Sequence, residues 1–144
     1  MHYSLLLHFP ERPREDLTPE EMRNGMNYFN RFALELDTAG VLVSAELLER
    51  SPETVTVRLV DETIEELDGP EEEFRAPLGG IIVIDVDNQE QAIRYAHRAP
   101  SMVWGPIEVR GTMARWVDGE WREEQEVEPA RPLYAEIPTN KQLG

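Results

Sequence analysis

The chain has 144 residues, which fits one globular domain of ordinary size. Its 29 acidic and 14 basic side chains give a formal net charge of −15, so its average field repels nucleic-acid phosphates and anionic lipid surfaces. It contains no cysteine, which excludes disulfides, thiolate nucleophiles and cysteine-ligated metal sites. We therefore expect a single acidic domain with neither nucleic acid nor membrane as a partner.

The first predicted element is a strand from Tyr3 to Phe9, because apolar residues alternate along it. Its apolar run, Leu5 to Leu7, is too short for a signal peptide or a membrane span. A cytoplasmic location is the simplest expectation.

A long helix follows. Thr18-Pro19-Glu20-Glu21 is a strong helix start, with a capping hydroxyl, proline in the first turn and glutamate three residues after the cap. Gly40 is suited to end the helix, since glycine adopts the left-handed conformation freely. Residues at steps of three and four predict the stripe that faces a sheet: Met22, Met26, Phe29, Ala33 and Leu36.

Three strands come next. Val41 to Leu48 is rich in branched residues and predicts a second strand. Thr54 to Leu59 and Thr63 to Leu67 alternate in polarity around Asp61-Glu62, which predicts a hairpin.

An acidic, turn-rich loop leads from Asp68 to Gly80 and then into the strand Ile81 to Val86. This strand is continuously apolar, so we expect both of its faces to be buried. Asp87 or Asn88 then caps a second helix that ends near Pro100, and Trp104 to Arg110 is the last core strand.

This order predicts an α+β fold of the ferredoxin-like type, βαββ(β)αβ, with an antiparallel sheet. Two helices can cover only one face of the sheet, so we expect the other face to be buried in a homodimer. The core unit spans residues 1–110. Residues 111–144 form a C-terminal extension with a hairpin at Trp116 to Trp121, followed after Glu123 by an acidic and proline-rich tail that is either extended or frayed.

Five segments in fixed order resemble the DGPF-type branch of the YCII-related family over roughly residues 2 to 110. They are His2 to Leu7, Ala39 to Val43, Asp68-Gly69-Pro70, Leu78-Gly79-Gly80 and Ile81 to Asp87. The resemblance implies a dimeric α+β barrel.

The same resemblance places Glu73 and Arg75 where the family commonly carries Glu and Lys, whereas Glu71 stands where the family usually has Phe. Some relatives are thought to use a His from the first helix and an Asp near the end of the second. Here no histidine occurs between Thr18 and Ala39, and Ala99 stands where that Asp would be. The family's chemistry therefore does not carry over to this chain.

Acid–base chemistry near neutral pH needs a histidine or a carboxylate whose pKa is shifted by burial. His8, at the end of the first strand, is the weak candidate for a catalytic base, although a structural role is the simpler interpretation. His97 suits a helix C-terminus, and His2 has no spaced partner. No metal-binding or nucleotide-binding motif is present, so we expect neither metal nor cofactor.

The leading hypothesis is a small-molecule-binding homodimer whose pocket lies between helices and sheet. Leu6, His8, Phe29 and Glu46 are expected to line this pocket, and the loop from Asp68 to Arg75 is expected to gate it. The ligand-binding candidates are His8, Glu46, Arg58, Asp68, Glu73 and Arg75. The alternatives are an isomerase or lyase acting on a small organic acid, and a non-catalytic interaction protein whose acidic tail recruits a basic partner.

Overall fold

A computed structural model describes residues 1–73 and 75–124. The strands are β1 (His2–His8), β2 (Leu42–Leu47), β3 (Val55–Val60), β4 (Thr63–Asp68), β5 (Leu78–Asp85), β6 (Ile107–Gly111), β7 (Ala114–Val117) and β8 (Glu120–Glu123). The helices are α1 (Pro19–Thr38) and α2 (Gln89–Ala96). None of the described helices is long and apolar enough to cross a bilayer.

Four strands form the main sheet, in the order β2-β5-β1-β6, and every neighbouring pair is antiparallel. The two central strands are the most apolar ones, since a central strand is covered on both edges. The prediction of an α+β fold with an antiparallel sheet is confirmed. The predicted strand from Ile81 begins earlier, at Leu78, and the last strand begins later, at Ile107.

Both helices pack on one face of the sheet, as expected. Leu5 and Leu7 of β1 are completely buried on this face. They belong to one core cluster with residues from α1 and α2, namely Phe32, Leu36, Ala92 and Ala96. The alternation of β1 thus assigns its odd-numbered residues to the core and its even-numbered residues to the opposite face.

Helix α1 starts where predicted: the Thr18 hydroxyl accepts a hydrogen bond of 3.1 Å from the backbone N–H of Glu21. The predicted stripe is wrong in its first half, because Met22 and Met26 are 43% and 59% exposed. Phe32 is buried in their place. The contacts of α1 with the core thus lie in its C-terminal half, where the sheet supports it.

The predicted hairpin is present as β3 and β4, but these strands form a two-stranded sheet of their own. Asp61 and Glu62 make the turn with φ of 48° and 65°. The second predicted hairpin, β7–β8, turns at Asp118-Gly119, and Trp116 meets Trp121 edge to face at 5.6 Å between ring centroids. The proline-rich tail predicted after Glu123 falls almost wholly on residues 125–144, outside the described residues.

Candidate functional site

The main sheet has one face opposite the helices, which we call the open face. Its middle is aliphatic: Leu6, Ile81 and Val83 are only half-buried in the single chain. The strand register defines two rows across this face from β2 to β6, which are Glu46, Ile81, Leu6, Glu108 and Ser44, Val83, Ser4, Arg110. The open face therefore has an apolar centre and charged edges. The expectation that β5 is buried on both faces fails within one chain, since Ile81 and Val83 lack a cover.

His8 extends this surface beyond Leu6, at a point where the register between β1 and β5 shifts. Its Nε2 lies 2.7 Å from Oε1 of Glu108, without the alignment of a hydrogen bond. The imidazole side chain is 22% exposed and the carboxylate 62%. The two groups form an acid–base pair, and Glu108 is the partner that the sequence did not reveal.

A groove of about 180 Å³ separates α1 from β2 on the other side of the sheet. It is mainly apolar, and Asn30 and Glu46 supply its polar groups. Its remaining lining consists of Met26, Phe29, Ala33, Ala45, Leu47 and Ile82. Of the four residues expected to line one pocket, Phe29 borders this groove, whereas Leu6 and His8 lie on the open face. Glu46 is placed on the open face by its register but also borders the groove, because it lies on the edge strand β2. The expected pocket is thus divided between two sides of the sheet, because the even-numbered residues of β1 face away from the helix that carries Phe29.

An aromatic cluster stands beside the groove. The rings of Phe9, Phe29 and Trp104 lie 5.9 to 6.4 Å apart, and Tyr28 meets Trp104 at 6.4 Å. Gly79 permits this arrangement, since the Phe9 ring occupies the space that a Cβ at that position would need. The Leu78-Gly79-Gly80 segment therefore has a packing role.

The remaining predicted ligand-binding residues do not converge. Arg58 pairs with Glu65 across the β3–β4 hairpin at 3.5 Å, and no described ion pair joins it to Asp68 or Glu73. Asp68, Glu73 and Arg75 are all exposed. Among the described residues of the loop expected to gate the pocket, hydrogen bonds hold its start, where Thr54 O accepts a hydrogen bond from Gly69 N and Gly69 O accepts one from the Thr56 hydroxyl.

A polar network surrounds the start of β1. The Met1 amine donates to Asp85 Oδ1 at 2.8 Å, and the His2 backbone N–H donates to Glu124 Oε2 at 2.9 Å. Arg115 pairs with the nearly buried Glu124 and lies 3.2 Å from His2 Nε2. The hydrogen bond and the positive charge of the amine hold the pKa of the Asp85 carboxyl below its usual range. These groups satisfy one another, so the network is structural; His2, which had no partner in the sequence, has one here.

A wider depression of about 300 Å³ on α2 is lined by Gln91, Arg94, Tyr95 and Arg98. Glu90 lies 3.6 Å from Arg94, and Glu35 forms an ion pair with Arg98. Because these carboxylates balance both guanidinium groups, the depression offers little net attraction for an anion.

Within residues 1–73 and 75–124, no three His, Asp or Glu side chains are arranged to hold a metal ion. No protein-family model matches the chain, and no significant match to a curated protein is found. The geometry of the described residues therefore carries the functional argument.

Proposed function

We propose that the chain is a ferredoxin-like homodimer that pairs through the open face and binds a small organic molecule between the two sheets. The observation that carries this proposal is the open face itself, with an aliphatic centre of Leu6, Ile81 and Val83 left half-exposed by a fold whose two helices both cover the opposite side.

The strand order supports the ferredoxin-like part of the proposal. β5 lies between β1 and β2, and β1 lies between β5 and β6, so each helix connects strands that have another strand between them. This is the arrangement of a split βαβ unit repeated twice, with the β3–β4 hairpin inserted between β2 and β5. The resemblance to DGPF-type YCII-related proteins, and the dimeric barrel it implies, is part of the same proposal.

The polar groups on the open face support the ligand. Covering this face with a dry interface would remove His8, Glu46, Glu108 and Arg110 from water, and burying charged groups is costly unless each finds a partner. In the proposed dimer the aliphatic centre packs against the same residues of the second copy. The polar end beside it stays hydrated, which leaves a chamber at His8 and Glu108. Such a chamber suits a small molecule with an apolar body and a group that hydrogen-bonds with imidazole.

Native mass spectrometry and light scattering test the proposal together. We expect a dimer at micromolar concentration that retains a small ligand or binds one in a screen of organic acids. Leu6→Glu should yield a folded monomer, because it places a charge in the centre of the interface. Val103→Glu is the matched control, since Val103 is 82% exposed and lies off the open face. A monomeric wild-type chain would overturn the dimer, and a dimer that binds nothing in such a screen would overturn the ligand.

A second candidate function is an isomerase or lyase acting on a small organic acid, favoured by the contact between His8 and Glu108. A carboxylate at 2.7 Å is close enough to fix the orientation of the imidazole, and a general base must be held in position towards its substrate. If a substrate is found, His8→Gln should abolish turnover and Glu108→Gln should reduce it, with binding retained. Unchanged turnover in His8→Gln would remove His8 as the catalytic base.

A further inference from the structure

The β3–β4 hairpin has its apolar face in the solvent. Val55, Val57, Leu59 and Ile64 share one face by register and are 56%, 63%, 69% and 71% exposed, with Glu66 and Asp68 at the end of this face away from the turn. The opposite face is more polar, with Val60 and Leu67 as its apolar residues, yet it is the better covered of the two, since Thr56, Val60 and Glu65 are half-buried. A hairpin on the surface of a monomer normally has the reverse arrangement.

This hairpin also lacks the support that would make it stable alone. It pairs with no other described strand, and an isolated two-stranded hairpin is marginal in water. Its turn places Asp61 and Glu62 in the left-handed region, which costs roughly 1–2 kcal/mol per residue with a side chain. A hairpin of this kind needs a cover on its apolar face whenever the protein is folded.

We propose that the β3–β4 hairpin is an arm that lies across a second copy of the chain and holds the dimer together. This rests on the homodimer proposed above and adds a second contact to it. The arm leaves the sheet from β2, an edge strand, and returns to β5. The base of the arm therefore lies beside the sheet that forms the proposed interface.

The exposed area fits this occupant. Four aliphatic side chains at these exposures present roughly 400 Å² of apolar surface, within the range of the largest patch on a typical monomer. In a two-fold symmetric pair each copy extends one arm and receives another, so the arms alone cover about 800 Å² per partner, which is the size of a standard stable interface. A second copy is also present wherever the chain is made, so a partner that can cover the apolar face of the hairpin is always available.

The test compares the same added charge on the two faces of the hairpin. Leu59→Glu lies on the outward apolar face, whereas Thr63→Glu lies at an exposed position on the opposite face. Sedimentation equilibrium should show the dimer Kd rising roughly 100-fold or more in Leu59→Glu, the effect of losing a central contact residue. Thr63→Glu should leave the Kd within about threefold of the wild type, as expected for a peripheral site. Circular dichroism should show both variants folded.

A second measurement does not depend on breaking the dimer. The chain has no cysteine, so Leu59→Cys introduces a single reactive thiol. Its alkylation should slow as protein concentration passes through the dimer Kd, while the thiol of Thr63→Cys should react at the same rate throughout. Both changes preserve the charge of the hairpin.

The outcomes separate the two proposals. A wild-type dimer whose Kd and thiol reactivity are unaffected at Leu59 overturns the arm and leaves the sheet-face dimer standing. Dissociation by Leu59→Glu without dissociation by Leu6→Glu supports the arm and overturns the sheet-face contact. A wild-type chain that stays monomeric overturns both.

Discussion

Asp85, at the end of β5, carries a charge whose surroundings favour the ionised form. Its carboxylate accepts a hydrogen bond from the Met1 amine and lies 3.9 Å from His2 Nε2. The pKa of Asp85 is thereby held below its ordinary value of 3.8. A group with a lowered pKa in the folded state stabilises the protein above its unfolded pKa, and this contribution is lost as the pH falls through the folded pKa.

Asp85→Asn should therefore lower the free energy of unfolding at pH 6 to 7, with a difference from wild type that shrinks below pH 4 and disappears in stronger acid. Urea unfolding across this pH range, on protein with a free Met1 amine, measures the effect. Glu72→Gln is the control, because Glu72 is exposed and makes no ion pair in the described part of the chain. A deficit for Asp85→Asn that is equally large at pH 3 would contradict an electrostatic origin.

The pairing of His8 with Glu108 shows which part of the candidate site sequence could predict. The position of His8 on the face opposite Leu5 and Leu7 follows from the two-residue period of a strand. Its partner does not follow from this period. The contact with Glu108 depends on β6 lying beside β1 and on the register of that strand pair. Local periodicity assigns faces, whereas contacts across the sheet depend on strand order.

At the scale of elements, the same distinction holds for α1 and for the β3–β4 hairpin. The capping residues fixed the start of α1 correctly because a cap is a local hydrogen bond. Periodicity does not show that a groove separates the N-terminal half of α1 from β2, which leaves Met22 and Met26 exposed. The turn of the hairpin likewise follows from local sequence. Its separation from the main sheet does not, because a hairpin inside the sheet and a hairpin outside it show the same alternation of polar and apolar residues.

Gly25 and Gly79 should respond in opposite ways to replacement by alanine. Gly25 lies inside α1, and a Cβ added there meets nothing within 4 Å. Gly25→Ala should raise the free energy of unfolding by about 0.5–1 kcal/mol, because alanine loses less backbone entropy in a helix. Gly79→Ala should lower it by about 1–3 kcal/mol, because the added methyl group displaces the Phe9 ring from the aromatic cluster.

Urea unfolding at fixed protein concentration and constant pH compares these two variants with the wild type. A stabilising Gly79→Ala would mean that Phe9 moves aside without loss. A destabilising Gly25→Ala would mean that this point of α1 is held by a contact that needs the glycine.

For the whole molecule, charge opposes the association that the apolar surfaces favour. Each copy carries a net charge of −15, so two copies repel one another at low ionic strength. Screening shortens the reach of this repulsion to about 10 Å at 0.1 M salt.

The dimer Kd should accordingly fall when sodium chloride is raised from about 0.02 to 0.5 M, since the Debye length drops from well over 10 Å to a few ångströms over this range. Sedimentation equilibrium at each salt concentration measures the change, with Leu59→Glu, which adds a negative charge, as a more salt-sensitive comparison. A Kd that rises with salt would instead identify ion pairs between copies, with Arg110 as the first residue to replace.

Among the described strands, β2 and β6 lie at the two edges of the main sheet, where each has one row of backbone groups that no other described strand pairs with. An uncapped edge is a template for unlimited growth into fibrils. Here Glu46 on one edge strand and Glu108 with Arg110 on the other put charged side chains next to those unpaired rows. Because an incoming strand would have to lie against these charges, we expect them to disfavour open-ended stacking of this acidic chain.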